Sequence, residues 1–184
     1  MRRIVAVEFM SLDGFFEGPK ADDFGWFAGV NAEVAGDPRV SIDTILLGRR
    51  TYEHMIAYWP TATGHDPITE TMNTLPKIVF SRTLSKVEWG KWNNAKLVKE
   101  IVAEEINRMK QQPGKDMIIL GSGEIVSTLH KLGLIDEYRI FLQPVLLGGG
   151  KPLFRNLKDR QKLELVETKT FKGGTVGLTY RPTN

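Results

Sequence analysis

Three short segments of the sequence combine the residue types that bind phosphate groups, and each follows an apolar run. They are residues 48–53 (GRRTYE), 80–83 (FSRT) and 120–124 (LGSGE). Arginine and hydroxyl side chains donate hydrogen bonds to phosphate oxygens, while glycine lets the backbone approach a ligand closely. A helix that starts at such a turn adds unpaired N–H groups and the positive end of its dipole. The three segments together predict a site for a phosphate-bearing ligand.

Each segment by itself also has a simpler explanation. Residues 48–53 fit a strand-to-helix turn with solvated arginines as well as they fit a phosphate site. Residues 80–83 resemble an ordinary surface loop, which is the more common case for so short a motif. Residues 120–124 contain Gly-x-Gly but lack the third glycine of the usual dinucleotide fingerprint. The interpretation as a binding site therefore rests on the three segments in combination.

Candidates for catalysis and substrate contact are fewer. Asp13 and Glu17 flank Gly-Phe-Phe in a predicted loop, and either carboxyl group could act as an acid if burial raised its pKa. The favoured alternative for Asp13 is a hydrogen bond within its own turn, so the catalytic residue stays unassigned, with Asp13 as a candidate. Aromatic residues could stack on a flat ring, although most such residues belong to a core. The predicted substrate pocket comprises Asp13, Phe15, Trp26 and Tyr52.

Composition narrows the class of protein. The chain has 184 residues, a net charge of +3, 41% hydrophobic residues and no cysteine. Its basic residues are scattered among acidic ones, which argues against nucleic-acid binding, and a mild positive field suits a small anionic ligand. No apolar run is long enough for a membrane span, and the start lacks a secretory pattern, so we expect a cytoplasmic protein. The histidines His54, His65 and His130 lack metal-binding spacing, and we expect no metal.

The hydrophobic pattern predicts an α/β fold in one domain, residues 1–184. We predict strands at residues 3–10, 42–47, 77–80, 95–98, 116–120, 137–145, 162–171 and 175–181. We predict helices at residues 24–34, 51–58, 99–112 and from 123 to about 132, with Gly133 as a C-terminal cap. Residues 11–22 are predicted to be a loop, and residues 61–74 show no periodicity. Alternating strands and helices followed by a glycine-linked hairpin indicate a mixed β-sheet flanked by helices, with an antiparallel C-terminal hairpin.

These segments also carry a family resemblance that spans nearly the whole chain. A Gly-Arg-x-Thr-Tyr-Glu turn, a Ser-Arg strand end and a Gly-Ser-Gly turn follow one another here as in the dihydrofolate reductase-like family. Residues 11–14 (SLDG) and 144–150 (PVLLGGG) resemble the C-terminal reductase domain of riboflavin-biosynthesis proteins. Two departures concern the substrate side. Glu33 is only a rough counterpart of the acidic residue that holds a pteridine, and the downstream Asp-x-Pro-x-Leu segment of riboflavin reductases is absent.

The resemblance implies NADP(H) as the cofactor and a small molecule as the substrate. By this resemblance Arg49, Arg50, Ser81 and Arg82 would lie beside the adenosine 2′-phosphate. The pyrophosphate would be held by Gly48, Thr51, Gly121, Ser122, Gly123, Glu124 and Ile125, with Gly149 nearby. The implied activity is an NADPH-dependent reductase of a small, heterocyclic substrate, working as a homodimer without nucleic-acid or membrane partners. The alternative is a non-catalytic nucleotide-binding or ligand-sensing domain of the same fold.

Overall fold

The computed structural model describes residues 1–20, 23, 25–27, 41–64, 66–155, 157 and 160–183. Its strands are β1 (Ile4–Ser11), β2 (Phe15–Glu17), β3 (Ile42–Gly48), β4 (Lys77–Phe80), β5 (Ala95–Val98), β6 (Asp116–Leu120), β7 (Glu137–Gln143), β8 (Lys151–Pro152), β9 (Leu163–Thr170) and β10 (Val176–Pro182). Eight of these strands form one sheet in the order β5-β4-β3-β6-β1-β7-β10-β9. The remaining two, β2 and β8, pair with each other.

The sheet is parallel from β5 to β7 and antiparallel from β7 to β9. Strands β9 and β10 are joined through Lys172–Gly174, which confirms the predicted hairpin. The six parallel strands all end at the same edge of the sheet. Ligands of open α/β sheets collect at this carboxyl edge, so the topology determines where a site can form.

The central strands are continuous apolar runs, and burial on both faces of the sheet stabilises them, as is typical of parallel strands. Ile45, Leu46 and Leu47 of β3 have no exposed surface, and neither have Met117 and Ile119 of β6. Strands β4, β5 and β6 have the bounds that the pattern predicted. The predicted strand at 137–145 ends at Gln143, because Pro144 has no N–H group to continue the ladder.

The helices that flank the sheet are α1 (Arg49–Tyr58), α2 (Pro67–Thr74), α3 (Ala103–Gln111) and α4 (Gly123–Lys131). Helix α1 begins two residues earlier than predicted, and α3 begins four residues later. Gly133 has a φ of 66° and its N–H donates to His130, which confirms the predicted cap of α4. Most of the helix predicted at 24–34, including Glu33, lies outside the described residues, which show one short 3₁₀ turn there, Gly25–Phe27.

One segment without periodicity forms a helix, and one predicted loop contains a strand. Residues 61–74 contain α2, whose first turn is capped by the side chain of Asp66 through the N–H groups of Ile68 and Thr69. Proline at the first helical position strengthens that start, and this local signal outweighs the weak periodicity of a short helix. Residues 11–22 contain β2, which pairs with β8 more than a hundred residues away. No local sequence pattern could indicate that pairing.

Candidate phosphate-binding site

Two of the predicted segments meet at the carboxyl edge because β3 and β6 are neighbours in the sheet. The hydroxyl group of Ser122 connects them. It accepts a hydrogen bond from the N–H of Gly48 at 2.9 Å and donates to the Thr51 hydroxyl group at 2.9 Å. Thr51 in turn donates to the carbonyl oxygen of Gly121 at 3.0 Å. Residues 48–53 and 120–124 therefore form one continuous polar junction.

Helices α1 and α4 both begin at this junction. Gly48 precedes α1 and Ser122 precedes α4, and neither residue caps its helix with a side-chain hydrogen bond. The first N–H groups of the two helices thus converge on one place with the positive ends of their dipoles. Ile125 is buried behind Gly48, whereas Glu124 is exposed on the first turn of α4. This arrangement suits a pyrophosphate bound by backbone N–H groups.

The third predicted segment follows β4, next to β3 in the sheet. Ser81 is buried, and its hydroxyl group accepts hydrogen bonds from the N–H groups of Thr83 at 3.3 Å and Leu84 at 3.1 Å. Ser81 therefore shapes its own turn, and Arg82 is exposed at the surface of that turn. The structure keeps this segment at the carboxyl edge, beside the start of α1.

The arginines of α1 have different surroundings. Arg49 pairs with Glu53 one helical turn later, at 3.2 Å, and both side chains are nearly half exposed. Such a surface pair contributes little to stability, so Arg49 can readily exchange Glu53 for another anion. Arg50 lies 3.4 Å from the carboxylate of Glu17, whose side chain is only 4% exposed. The ammonium group of Lys151 also pairs with Glu17, so two cations meet one buried anion.

Strands β2 and β8 place a small flap over the start of α4. The ring of Phe16 lies where a Cβ atom on Gly123 would be, 2.5 Å from its Cζ atom, so only glycine fits there. A Cβ on Gly150, which has a φ of 146°, would lie 2.2 Å from the carbonyl oxygen of Glu17. Gly123 of the predicted cofactor segment and Gly150 of the glycine-rich loop therefore let this flap pack closely.

Asp13 connects the loop after β1 to the glycine-rich loop after β7. Its carboxylate accepts hydrogen bonds from the N–H of Gly148 at 2.8 Å and from that of Leu147 at 3.1 Å. The Ser11 hydroxyl group and these N–H groups hold the pKa of Asp13 below its usual value. Asp13 is thus an ionised structural link that also holds the loop containing Gly149. A lowered pKa favours the ionised form, and the role of Asp13 as a proton donor stays a prediction.

The aromatic residues of the predicted substrate pocket lie on three different elements. Tyr52 is buried in a core cluster with Trp89, and its hydroxyl group donates to the carbonyl oxygen of Glu88 at 3.1 Å. Phe15 lies on the flap, and the indole N–H of Trp26 donates to Asp23 at 3.0 Å. A cavity of about 770 Å³ lies along the face of the sheet that carries Val7 and Phe9, and it also reaches Gly121. Its apolar walls include Val7, Phe9, Met55, Trp59, Leu120 and Phe171.

Glu8, in the middle of β1, also lies at the junction, although no sequence motif predicted it. It is 1% exposed and lies on the face of the sheet that packs against α4, where the N–H of Ser122 donates to its carboxylate. Burial raises the pKa of Glu8 to about 8, and the hydrogen bond from Ser122 opposes this shift. The available signal was an acidic residue in the middle of an otherwise apolar central strand, a position that seldom holds a charge without a reason.

Comparison with known proteins identifies the family and agrees with the fold. Residues 2–176 match the family described as the RibD C-terminal domain. The chain is 37% identical to the uncharacterized protein YyaP of Bacillus subtilis, over 97% of this chain and 94% of that protein. A putative riboflavin biosynthesis protein of Shewanella sp. PV-4 has the same fold, with a TM-score of 0.71 at 19% identity and 99% coverage of both chains. Dihydrofolate reductase of Enterococcus faecalis, solved with NADP(H), gives a TM-score of 0.62 at 14% identity, covering 99% and 97% of the two chains.

The fold is thus that of a dihydrofolate reductase-like α/β protein. Within that class the chain belongs to the RibD C-terminal domain family. Among its described helices, none has the length and apolar character needed to cross a membrane. The homodimer and the cytoplasmic location stay predictions.

Proposed function

We propose that this protein is an NADPH-dependent reductase of a small, planar substrate. The observation that carries the proposal is the junction of Gly48, Thr51 and Ser122, where two uncapped helices begin side by side. A dinucleotide needs such a place for its pyrophosphate. Membership in a reductase-type family supports the same conclusion.

The residues present fit this cofactor. Backbone N–H groups at the starts of α1 and α4 would hold the pyrophosphate, and the Thr51 hydroxyl group would be within the same junction. Arg49 and Arg82, both exposed at the carboxyl edge, would take the 2′-phosphate, together with Arg50 once it exchanges its contact with Glu17. When bound, NADPH supplies a hydride, so the protein has to orient the acceptor and exclude water.

The cavity beside Gly121 is the proposed place for the substrate. Its volume of about 770 Å³ is sufficient for a heterocyclic molecule, and its walls are mainly apolar and aromatic. Trp59 and Phe9 offer flat faces on which a planar ring could stack. Because the cavity and the phosphate junction share Gly121, a dinucleotide bound at the junction would have one end close to the substrate.

Calorimetric titration with NADPH and with NADH tests the proposal. We expect tight binding of NADPH and much weaker binding of NADH, because only NADPH has the 2′-phosphate. Replacement of Arg49, Arg50 or Arg82 by glutamine should weaken NADPH binding and leave NADH binding unchanged. Arg160, which is exposed and outside the junction, provides the control variant Arg160→Gln. Absence of binding for both nucleotides would refute the proposal.

One observation favours the second candidate, a non-catalytic nucleotide-binding or ligand-sensing domain. Both acidic residues of the first loop are engaged in contacts within the protein, Asp13 with backbone N–H groups and Glu17 with Arg50 and Lys151. Neither is therefore an evident proton donor. A panel of pterins, pyrimidines and small carbonyl compounds distinguishes the two functions, since oxidation of NADPH with any of them requires an enzyme.

A further inference from the structure

The carboxyl group of Glu8 is unusual among the buried acidic groups of the described chain. Its Oε1 atom is buried and has no hydrogen-bond partner. Glu17 and Glu137, which are equally buried, are paired with lysine or arginine side chains. A buried polar atom without a partner costs about 1–3 kcal/mol, so folding alone gives no reason for this glutamate.

Glu8 lies directly behind the candidate phosphate site. The N–H of Ser122 donates to its carboxylate, and the Ser122 hydroxyl group bonds to Gly48 and Thr51 on the other side. One residue thus separates the carboxyl group from the point where α1 and α4 begin. Phe16 closes the same place from the flap, against Gly123.

The charge of Glu8 matters for any anion at this junction. An ionised carboxylate would occupy an N–H group of the turn and oppose a bound phosphate through a medium of low dielectric constant. A neutral carboxyl group removes that repulsion and offers an O–H donor in place of an acceptor. Since burial shifts the pKa of this group to about 8, the neutral form dominates at neutral pH.

We propose that Glu8 belongs to the nucleotide site and that the junction binds the pyrophosphate of a dinucleotide only while the Glu8 carboxyl group keeps its proton. This inference rests on the proposed function, because it assigns a role toward the same cofactor. Binding of the anion is then coupled to retention of one proton by the protein. The process is non-covalent and needs no further reactant.

The charged groups on the neighbouring elements do not provide another source of this coupling. On α4, Glu124 is exposed and His130 lies in the last turn, bonded to Tyr138. On β7, the residue opposite Glu8 is Ile140. The flap carries Glu17, which is paired with Arg50 and Lys151. Arg3 lies before the start of β1 and Asp116 at the start of β6, at the amino ends of those strands, and they pair with each other.

Titration of the wild-type protein and of Glu8→Gln with NADPH between about pH 7 and pH 9.5 tests the inference. In the wild type we expect affinity to fall by up to about tenfold for each pH unit above about 8. In Glu8→Gln, which cannot ionise, we expect no such fall. The 2′-phosphate of the nucleotide loses its last proton near pH 6 and contributes equally to both proteins. Glu100→Gln removes one carboxylate at an exposed position outside the site and should keep the wild-type pH dependence.

A second measurement does not depend on the variant. Calorimetry of NADPH binding to the wild type near pH 8.5, in buffers of different ionisation enthalpy, should show proton uptake of more than half a proton. Parallel pH profiles of wild type and Glu8→Gln, or absence of proton uptake, would overturn the inference while leaving the proposed function intact. Failure of both proteins to bind NADPH at any pH would instead reject the proposed function.

Discussion

Replacing Glu8 by glutamine should change how the stability of the protein depends on pH. In the unfolded chain this carboxyl group ionises near its ordinary pKa of 4.5, whereas burial raises the pKa to about 8 in the folded protein. Between these two values the unfolded state has released a proton that the folded state keeps. The free energy of unfolding of the wild type therefore falls as pH rises through this window.

The size of the effect follows from the two pKa values. Each pH unit between them corresponds to about 1.4 kcal/mol, so the wild type should lose roughly 5 kcal/mol over the whole window and roughly 3 kcal/mol by neutral pH. Glu8→Gln has no group to ionise and lacks this contribution. Its stability relative to the wild type should thus rise steadily with pH, whatever constant offset the amide group introduces.

Urea unfolding followed by circular dichroism at several pH values between about 5 and 9 measures this difference. All other titrating groups are the same in the two proteins, including Lys77, whose pKa burial lowers to about 7. Glu100→Gln, at an exposed position, is the matched control and should parallel the wild type. A constant difference between wild type and Glu8→Gln across the pH range would refute the assignment of a raised pKa to Glu8.

Three further predictions concern the packing of the site and the sheet. Ser122→Ala should destabilise the fold by about 1–3 kcal/mol in urea unfolding, because it leaves the partly buried N–H of Gly48 without its acceptor, and the exposed Ser85→Ala should not. Gly123→Ala should lower the free energy of unfolding by about 1–3 kcal/mol, because the added methyl group clashes with Phe16. Adding Phe16→Leu to that variant should restore most of the lost stability, and additive effects of the two substitutions would contradict the contact. Glu137→Gln should lower the free energy of unfolding by about 3–5 kcal/mol near neutral pH, because it removes a buried carboxylate that pairs with three arginines. Although burial alone would raise the pKa of that carboxyl group, its arginine partners lower it, so this stability difference should vanish as pH falls through the lowered pKa, and a difference that persists in acid would argue against the ion pairs.

The amino-acid sequence by itself determined the strands at the centre of the sheet and the hairpin that ends the chain. Strands β4 and β6 are short apolar runs bounded by polar residues, and such runs have few alternatives to a buried strand. The glycines of Lys172–Gly174 marked the turn between β9 and β10 in the same direct way. The segments 48–53 and 120–124 could be predicted to meet, because both follow parallel strands that end at one edge.

The tertiary structure alone decided how the site is covered and charged. Strands β2 and β8 are very short and far apart in sequence, yet they pair. The flap that they form places Phe16 against Gly123. The role of Glu8 depends equally on its surroundings, since the same carboxyl group would be an ordinary acid at the surface. Local residue types determine which elements form, whereas burial and long-range contact determine the protonation and accessibility of the groups that the elements carry.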